Sequence, residues 1–186
     1  MTAQINDSFL FQDQRFLLVG VNGALLFHPA NYGLQPLPRI TSCWRGFVCT
    51  YKTLHNELLL DTLQTNLDHQ GPAINNILPE LSTKSTFNNT YHDLNLHIDF
   101  SGGMLVANGF IQSLYVHMGF HPAWKYETVI ELVFSNGYLL DTKDVSGQMA
   151  ELREKMTRQP LKPGTDASRQ ELDDWIVSTF KRSYRF

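Results

Sequence analysis

Only two cysteines, Cys43 and Cys49, occur in 186 residues. Placed in one strand they would share a face yet stand ~20 Å apart, whereas a disulfide needs Cα atoms within about 7 Å. Free thiols are therefore expected, with the reducing, cytoplasmic setting that keeps them so. Long apolar runs are missing too: nothing approaches the roughly 20 residues of a helical membrane span, so no membrane association is expected. Met1 to Ser8 has no basic stretch followed by an apolar run, so no signal peptide is expected either. Charge is sparse, at 18% of residues and a net −3, which leaves no global field to draw nucleic acid. The basic end, Lys181-Arg182 with Arg185, is local and suits the last turn of a helix.

The chemistry-bearing motifs are also absent. There is no P-loop, no Gly-x-Gly-x-x-Gly ahead of a helix, no His-Glu-x-x-His and no paired zinc-ligand spacing. No cofactor and no metal is expected on that ground. No serine or cysteine stands in a nucleophile elbow or a Cys-x-x-Cys setting.

What the chain does have is aromatic residues, 12% of the total, and closely spaced hairpin signals. Aromatic and β-branched side chains fit a pleated, half-buried surface. Asn22-Gly23 and Asn136-Gly137 sit between apolar runs, and His55-Asn56 separates Cys43–Thr53 from Glu57–Leu63. An Asn-Gly pair there predicts a two-residue turn, because both central residues need positive φ. Leu94, Leu96, Ile98 and Phe100 alternate with Asn95, His97 and Asp99, the two-faced strand pattern. Gly102-Gly103 predicts the next turn, and a further strand is expected over Ile111 to Met118. Residues 64–91 show no period and read as an irregular connection, with a short helix expected near Ala73 to Leu81.

Residues 16–63 align without a gap on 96–143. Over 16–62, nine of 47 positions are identical, four of them in the twin Leu59-Leu60-Asp61-Thr62 and Leu139-Leu140-Asp141-Thr142. An internal pseudo-repeat of two strand-rich halves is one reading, and chance alignment of hairpin-rich segments is the other. Beyond residue 143 the pattern turns helical. Met149, Leu152 and Met156 form one stripe, after Asp144 or Ser146 as a cap, with Pro160 and Pro163-Gly164 as stops. Ser168-Arg-Gln-Glu171 is a capping box. It opens a helix with Leu172, Trp175, Ile176, Thr179 and Phe180 on one face, a stripe expected to bury against the sheet or close a barrel end.

The expected architecture is α+β in a single domain, 1–186. It is an antiparallel β-meander forming a strongly bent sheet or barrel of about eight to ten strands, with two C-terminal helices. Its parts are a first β half (9–63), the irregular connection (64–91), a second β half (92–143) and a helical part (144–186).

Candidate site residues are few. On a strand, His97 and Asp99 share a face. With His117 they would have the composition of an acid–base or two-His-one-carboxylate site in a barrel mouth, and the wetter side of a half-buried strand explains them equally. Trp44-Arg45-Gly46-Phe47 is over-specified for a strand entry: an arginine beside two aromatics suits recognition, and a glycine there marks close approach by backbone or ligand. Tyr115 is the further binding candidate. The plainer alternative is a core Trp with a snorkelling Arg45. Arg45 would also be placed to activate either thiol. The expected function is a non-catalytic binding module for a partner protein or an apolar small ligand; the alternative is an enzyme using His97, Asp99 and His117.

Overall fold

The computed structural model describes residues 2–158, 162–164, 166–180 and 182–184, the side chains of Ser178 and Phe180 excepted. Ten strands form one bent sheet: β1 (Ser8–Phe11), β2 (Gln14–Gly23), β3 (Phe47–Leu54), β4 (Glu57–Thr65), β5 (Glu80–Leu81), β6 (Asn89–Tyr91), β7 (Leu96–His97), β8 (Gly102–Phe110), β9 (Tyr126–Ser135) and β10 (Tyr138–Asp144). Two helices follow, α1 (Ser146–Met156) and α2 (Arg169–Phe180).

The strand order is β10-β9-β8-β2-β1-β3-β4-β6-β5, and a pairing of β10 with β4 turns it into a ring. All neighbours run antiparallel except β1 and β3, which are parallel. The ring closes between two hairpin tips. Leu58 donates to the Gly137 carbonyl at 2.7 Å and Leu139 to that of Asn56 at 2.8 Å. The far edge of β4 is shared by β10 at Glu57, β7 at Leu59 and Leu60, and β6 at Leu63 to Thr65. Short segments thus satisfy an edge that would otherwise be open.

Two cores result. Phe9, Leu18, Tyr51, Leu58, Leu60, Leu63, Met104, Val106, Leu132 and Phe134 fill the ring. Val19, Leu105, Ala107, Trp124, Tyr126, Val129, Val145 and Met149 form a second cluster against the outer face. β8 is therefore buried on both faces from Gly103 to Ala107, which is why it reads as a continuous apolar run. Arg153 of α1 holds the outer layer, donating to the Trp124 and Tyr126 carbonyls at 2.8 and 2.6 Å.

Several expectations need correcting. Asn22-Gly23 is not a turn: β2 runs straight to Gly23, and the tight turn is Gln12-Asp13, both with positive φ. Asn22 and Gly23 pair instead with Gly103 and Gly102 of β8. The alternation over 94–100 correctly separates buried from exposed side chains, yet only Leu96–His97 is a strand, because Asp93 and Asn95 adopt positive φ. Ile111 to Met118 holds a 3-10 turn at Gln112–Leu114. The segment at 73–81 has an Ile74–Ile77 bridge around Asn75-Asn76 rather than a helix.

The pseudo-repeat finds no support. Both Leu-Leu-Asp-Thr segments lie in return strands of two-residue hairpins, but the turns, His55-Asn56 and Asn136-Gly137, are offset by 81 rather than 80. Leu60 is fully buried whereas Leu140 is 67% exposed. Gly23 and Gly103 lie on paired strands as neighbours, not in matching places.

The capping box forms as read: Ser168 N donates to Glu171 Oε2 at 2.8 Å, and Glu171 N to Ser168 Oγ at 3.2 Å. The stripe it opens is only partly covered, with Trp175 and Ile176 half-buried and Leu172 and Val177 exposed. Pro160, Lys181, Arg185 and the Phe180 side chain lie outside the described residues.

Candidate functional site

Asp7 is a buried carboxylate that accepts four hydrogen bonds. Its side chain is 2% exposed, just ahead of β1, where β1 meets β3. Arg45 donates to it through both terminal nitrogens, Nη1 to Oδ2 at 2.8 Å and Nη2 to Oδ1 at 2.6 Å. The Cys49 N–H adds 2.7 Å to Oδ1, and Arg182 Nη1 adds 3.1 Å to Oδ2. Burial alone would push the carboxyl up; Arg45's charge and hydrogen bonds, with Arg182 and the Cys49 amide, outweigh it and hold it below the usual range. Burial would likewise lower Arg45, but Asp7 more than restores its proton affinity. Asp7 and Arg45 are therefore both charged, and arginine's intrinsic basicity makes Arg182 the second cation beside this carboxylate.

Local sequence places these groups. Gly46 takes φ +74° in the turn before β3, and a Cβ there would lie 2.7 Å from the Leu37 carbonyl oxygen. The close approach inferred from this glycine is thus made by backbone, and it sets Arg45 beneath Asp7. Arg45 also lies over the Phe47 ring at 4.8 Å, and Phe47 meets Phe27 edge-on at 6.0 Å. Arg182 is brought in by the C-terminal segment. Its carbonyl accepts from Val21 N at 2.7 Å, Ser183 bridges Val21 in parallel, and its guanidinium lies 4.8 Å over the Phe120 ring.

These residues wall a cavity of about 330 Å³. Val21, the 23–27 loop, Phe47 and Tyr51 supply its apolar surface, and Asp7, Arg45 and Arg182 its charge. A second cavity, of about 360 Å³, lies on the other side of Arg182 and Ser183. Its walls are mainly the outer core, among them Leu105, Trp124, Met149 and Leu152. The C-terminal segment is the partition between the two.

The remaining candidates are dispersed. Arg45 and Phe47 line the first cavity; Trp44, 46% exposed, and Tyr115, 48% exposed, do not. Tyr115 hydrogen-bonds His117 Nδ1 at 2.8 Å. His97 lies 5.8 Å from the Tyr138 ring. His97, Asp99 and His117 are all exposed, and among the described residues no hydrogen bond, ion pair or ring contact joins any two of them. Among the described residues no group of three or more His, Cys, Asp or Glu is placed to hold a metal. Both cysteines are buried free thiols. Burial pushes each one up and prevails over Arg45's opposing charge, so neither is activated.

Sequence reading missed Asp7, Phe27 and Arg182. An Asp inside an otherwise apolar approach to a strand, Asn6-Asp7-Ser8-Phe9-Leu10-Phe11, is the one local signal of a buried carboxylate.

A separate group surrounds His121, whose ring meets Phe110 at 4.7 Å and Tyr115 at 5.2 Å. Its Nε2 is buried and, among the described residues, has no hydrogen-bond partner, as is true of Asn6 Oδ1. Burial, aided by the charge of Lys125, pushes its pKa down to about 4.

No protein-family model, no curated protein and no solved structure matches this chain.

Proposed function

We propose that this chain is a non-catalytic binding module whose ligand is a small molecule with an apolar body. One observation carries the reading: a cavity of about 330 Å³ joins apolar walls from Phe27, Phe47, Tyr51 and Leu26 to a few fixed polar groups. Small-molecule sites have that composition, with volumes of about 300–1,000 Å³. Two buried, unpaired thiols support a reducing, cytoplasmic setting. A protein partner would rest on Trp44 and Tyr115, neither of which lines this cavity. The enzyme alternative would rest on His97, Asp99 and His117, exposed and unjoined.

The test is naphthalene titration of the whole chain, read by naphthalene fluorescence and calorimetry. Saturable binding at one site is expected, abolished by Ala24→Trp, which fills the first cavity, and unaffected by Leu152→Trp, which fills the second. The reverse pattern moves the site to the outer cavity. No saturable binding by either protein overturns the reading.

A further inference from the structure

The charge of the cavity wall says more than its shape. Asp7 cancels one guanidinium, and two are present, so the wall carries a net charge of +1. The two arginines are not equivalent. Arg45 spends both terminal nitrogens on Asp7, in the parallel fork that guanidinium and carboxylate form best. Arg182 gives Asp7 a single contact through Nη1, at 3.1 Å. Among the described residues its guanidinium makes no other hydrogen bond, although it is held in place by stacking on Phe120. Its side chain is only 22% exposed and is part of the cavity wall, so the unused donors are largely withdrawn from bulk water. A cation half-withdrawn from solvent and left with spare donors is the complement of an anion, and a low-dielectric wall strengthens that attraction.

Size and charge limit which anion. At interior packing density about 330 Å³ has room for roughly a dozen non-hydrogen atoms. A single positive charge matches a monoanion. A phosphate monoester, at about −1.5 to −2 near neutrality, would leave the site net negative.

We propose that the ligand is a small monocarboxylate, its apolar body against Phe27, Phe47 and Tyr51 and its carboxylate paired with Arg182. This rests on the binding-module reading and specifies the ligand class for the same cavity. The positive wall orients the ligand and favours it over neutral and cationic molecules of equal shape.

The test compares octanoate, octan-1-ol and octyl phosphate by calorimetry on the full chain. Octanoate should bind at least about tenfold more tightly than either of the others. Arg182→Met should lower octanoate affinity about tenfold and leave octan-1-ol unchanged. Because that change also loosens the C-terminal segment, a second variant is needed. Leu25→Asp adds a carboxylate at a cavity-lining position that is 79% exposed, and should weaken octanoate several-fold without disturbing the fold. Equal binding of octanoate and the alcohol overturns the carboxylate assignment and leaves the apolar-ligand reading standing. Tighter binding of octyl phosphate also overturns it. Octanoate binding untouched by both substitutions places the anion elsewhere and overturns it as well. If neither octanoate nor octan-1-ol binds, the binding-module reading falls and takes this inference with it.

Discussion

Asp7 and Arg45, separated by 38 positions, meet through two parallel hydrogen bonds of 2.8 and 2.6 Å with the carboxylate 2% exposed. The pair joins the segment entering β1 to the segment entering β3, and so clamps the only parallel step of the ring. Removing Arg45 leaves the buried carboxylate with only the single Arg182 contact and the Cys49 amide. Arg45→Met should cost about 3–5 kcal/mol, the range for breaking a buried pair. Adding Asp7→Leu should recover part of that loss: the buried carboxylate is gone, and the cation that remains is Arg182, whose side chain is 22% exposed. Urea denaturation of both variants measures this, and a double variant weaker than the sum of the singles would argue against the clamp.

Acid should weaken the fold through His121. In the unfolded chain a histidine titrates near 6.5, whereas burial, then the Lys125 charge, lowers it to about 4 in the folded state. Between those values the unfolded chain binds the extra proton and the native one resists it. Stability from this group is thus intact above about pH 6.5 and falls as pH drops toward 4. Urea midpoints from pH 7 to 4 should show the loss, and His121→Gln should flatten that part of the profile.

The Asn136-Gly137 turn is sensitive at its second residue. Gly137 has φ +80°, and a Cβ there would lie 2.6 Å from the His97 ring and the Ile98 carbonyl. Gly137→Ala should cost about 1–3 kcal/mol from backbone strain, plus the displacement of β7. Gly147→Ala, in the first turn of α1 with nothing within 4 Å, should leave the thermal midpoint unchanged or slightly raised.

Trp175 sets the weight of α2. Full burial of a tryptophan predicts a loss of about 3–5 kcal/mol on truncation to alanine. Half-buried, it should give about 1–3 kcal/mol in the same urea experiment. A larger loss would mean that α2 packs more deeply than its exposed Leu172 and Val177 indicate.

The fold was more legible than the site. Two-residue turns announce themselves where Asn-Gly separates strand formers, as at Asn136-Gly137, and the capping box Ser168–Glu171 is a local code read by local bonds. Asn22-Gly23 misleads because the same dipeptide also suits the end of a strand facing another glycine pair, here Gly102-Gly103. The true turn, Gln12-Asp13, has no special composition. Periodicity over 94–100 reports which side chains face inward, but not whether the backbone joins a ladder. Arg45 and Phe47 stand out locally because an arginine between aromatics at a strand entry is unusual. Their partners do not. Asp7, Phe27 and Arg182 reach them only through the parallel β1–β3 step and the return of the C-terminal segment to Val21. No spacing rule connects residues that far apart.

Arg182 lies 175 positions after the aspartate it touches. During synthesis every residue of the ring is available before Arg182 is, so Asp7 and Arg45 can meet first and form a neutral pair. The final cation arrives only with the C-terminal segment. The pocket therefore gains its last wall and its net charge together, and late. A chain clipped or stalled short of residue 182 would carry the ring of strands with a neutral Asp7–Arg45 pair, and would lack both the partition between the two cavities and the second cation.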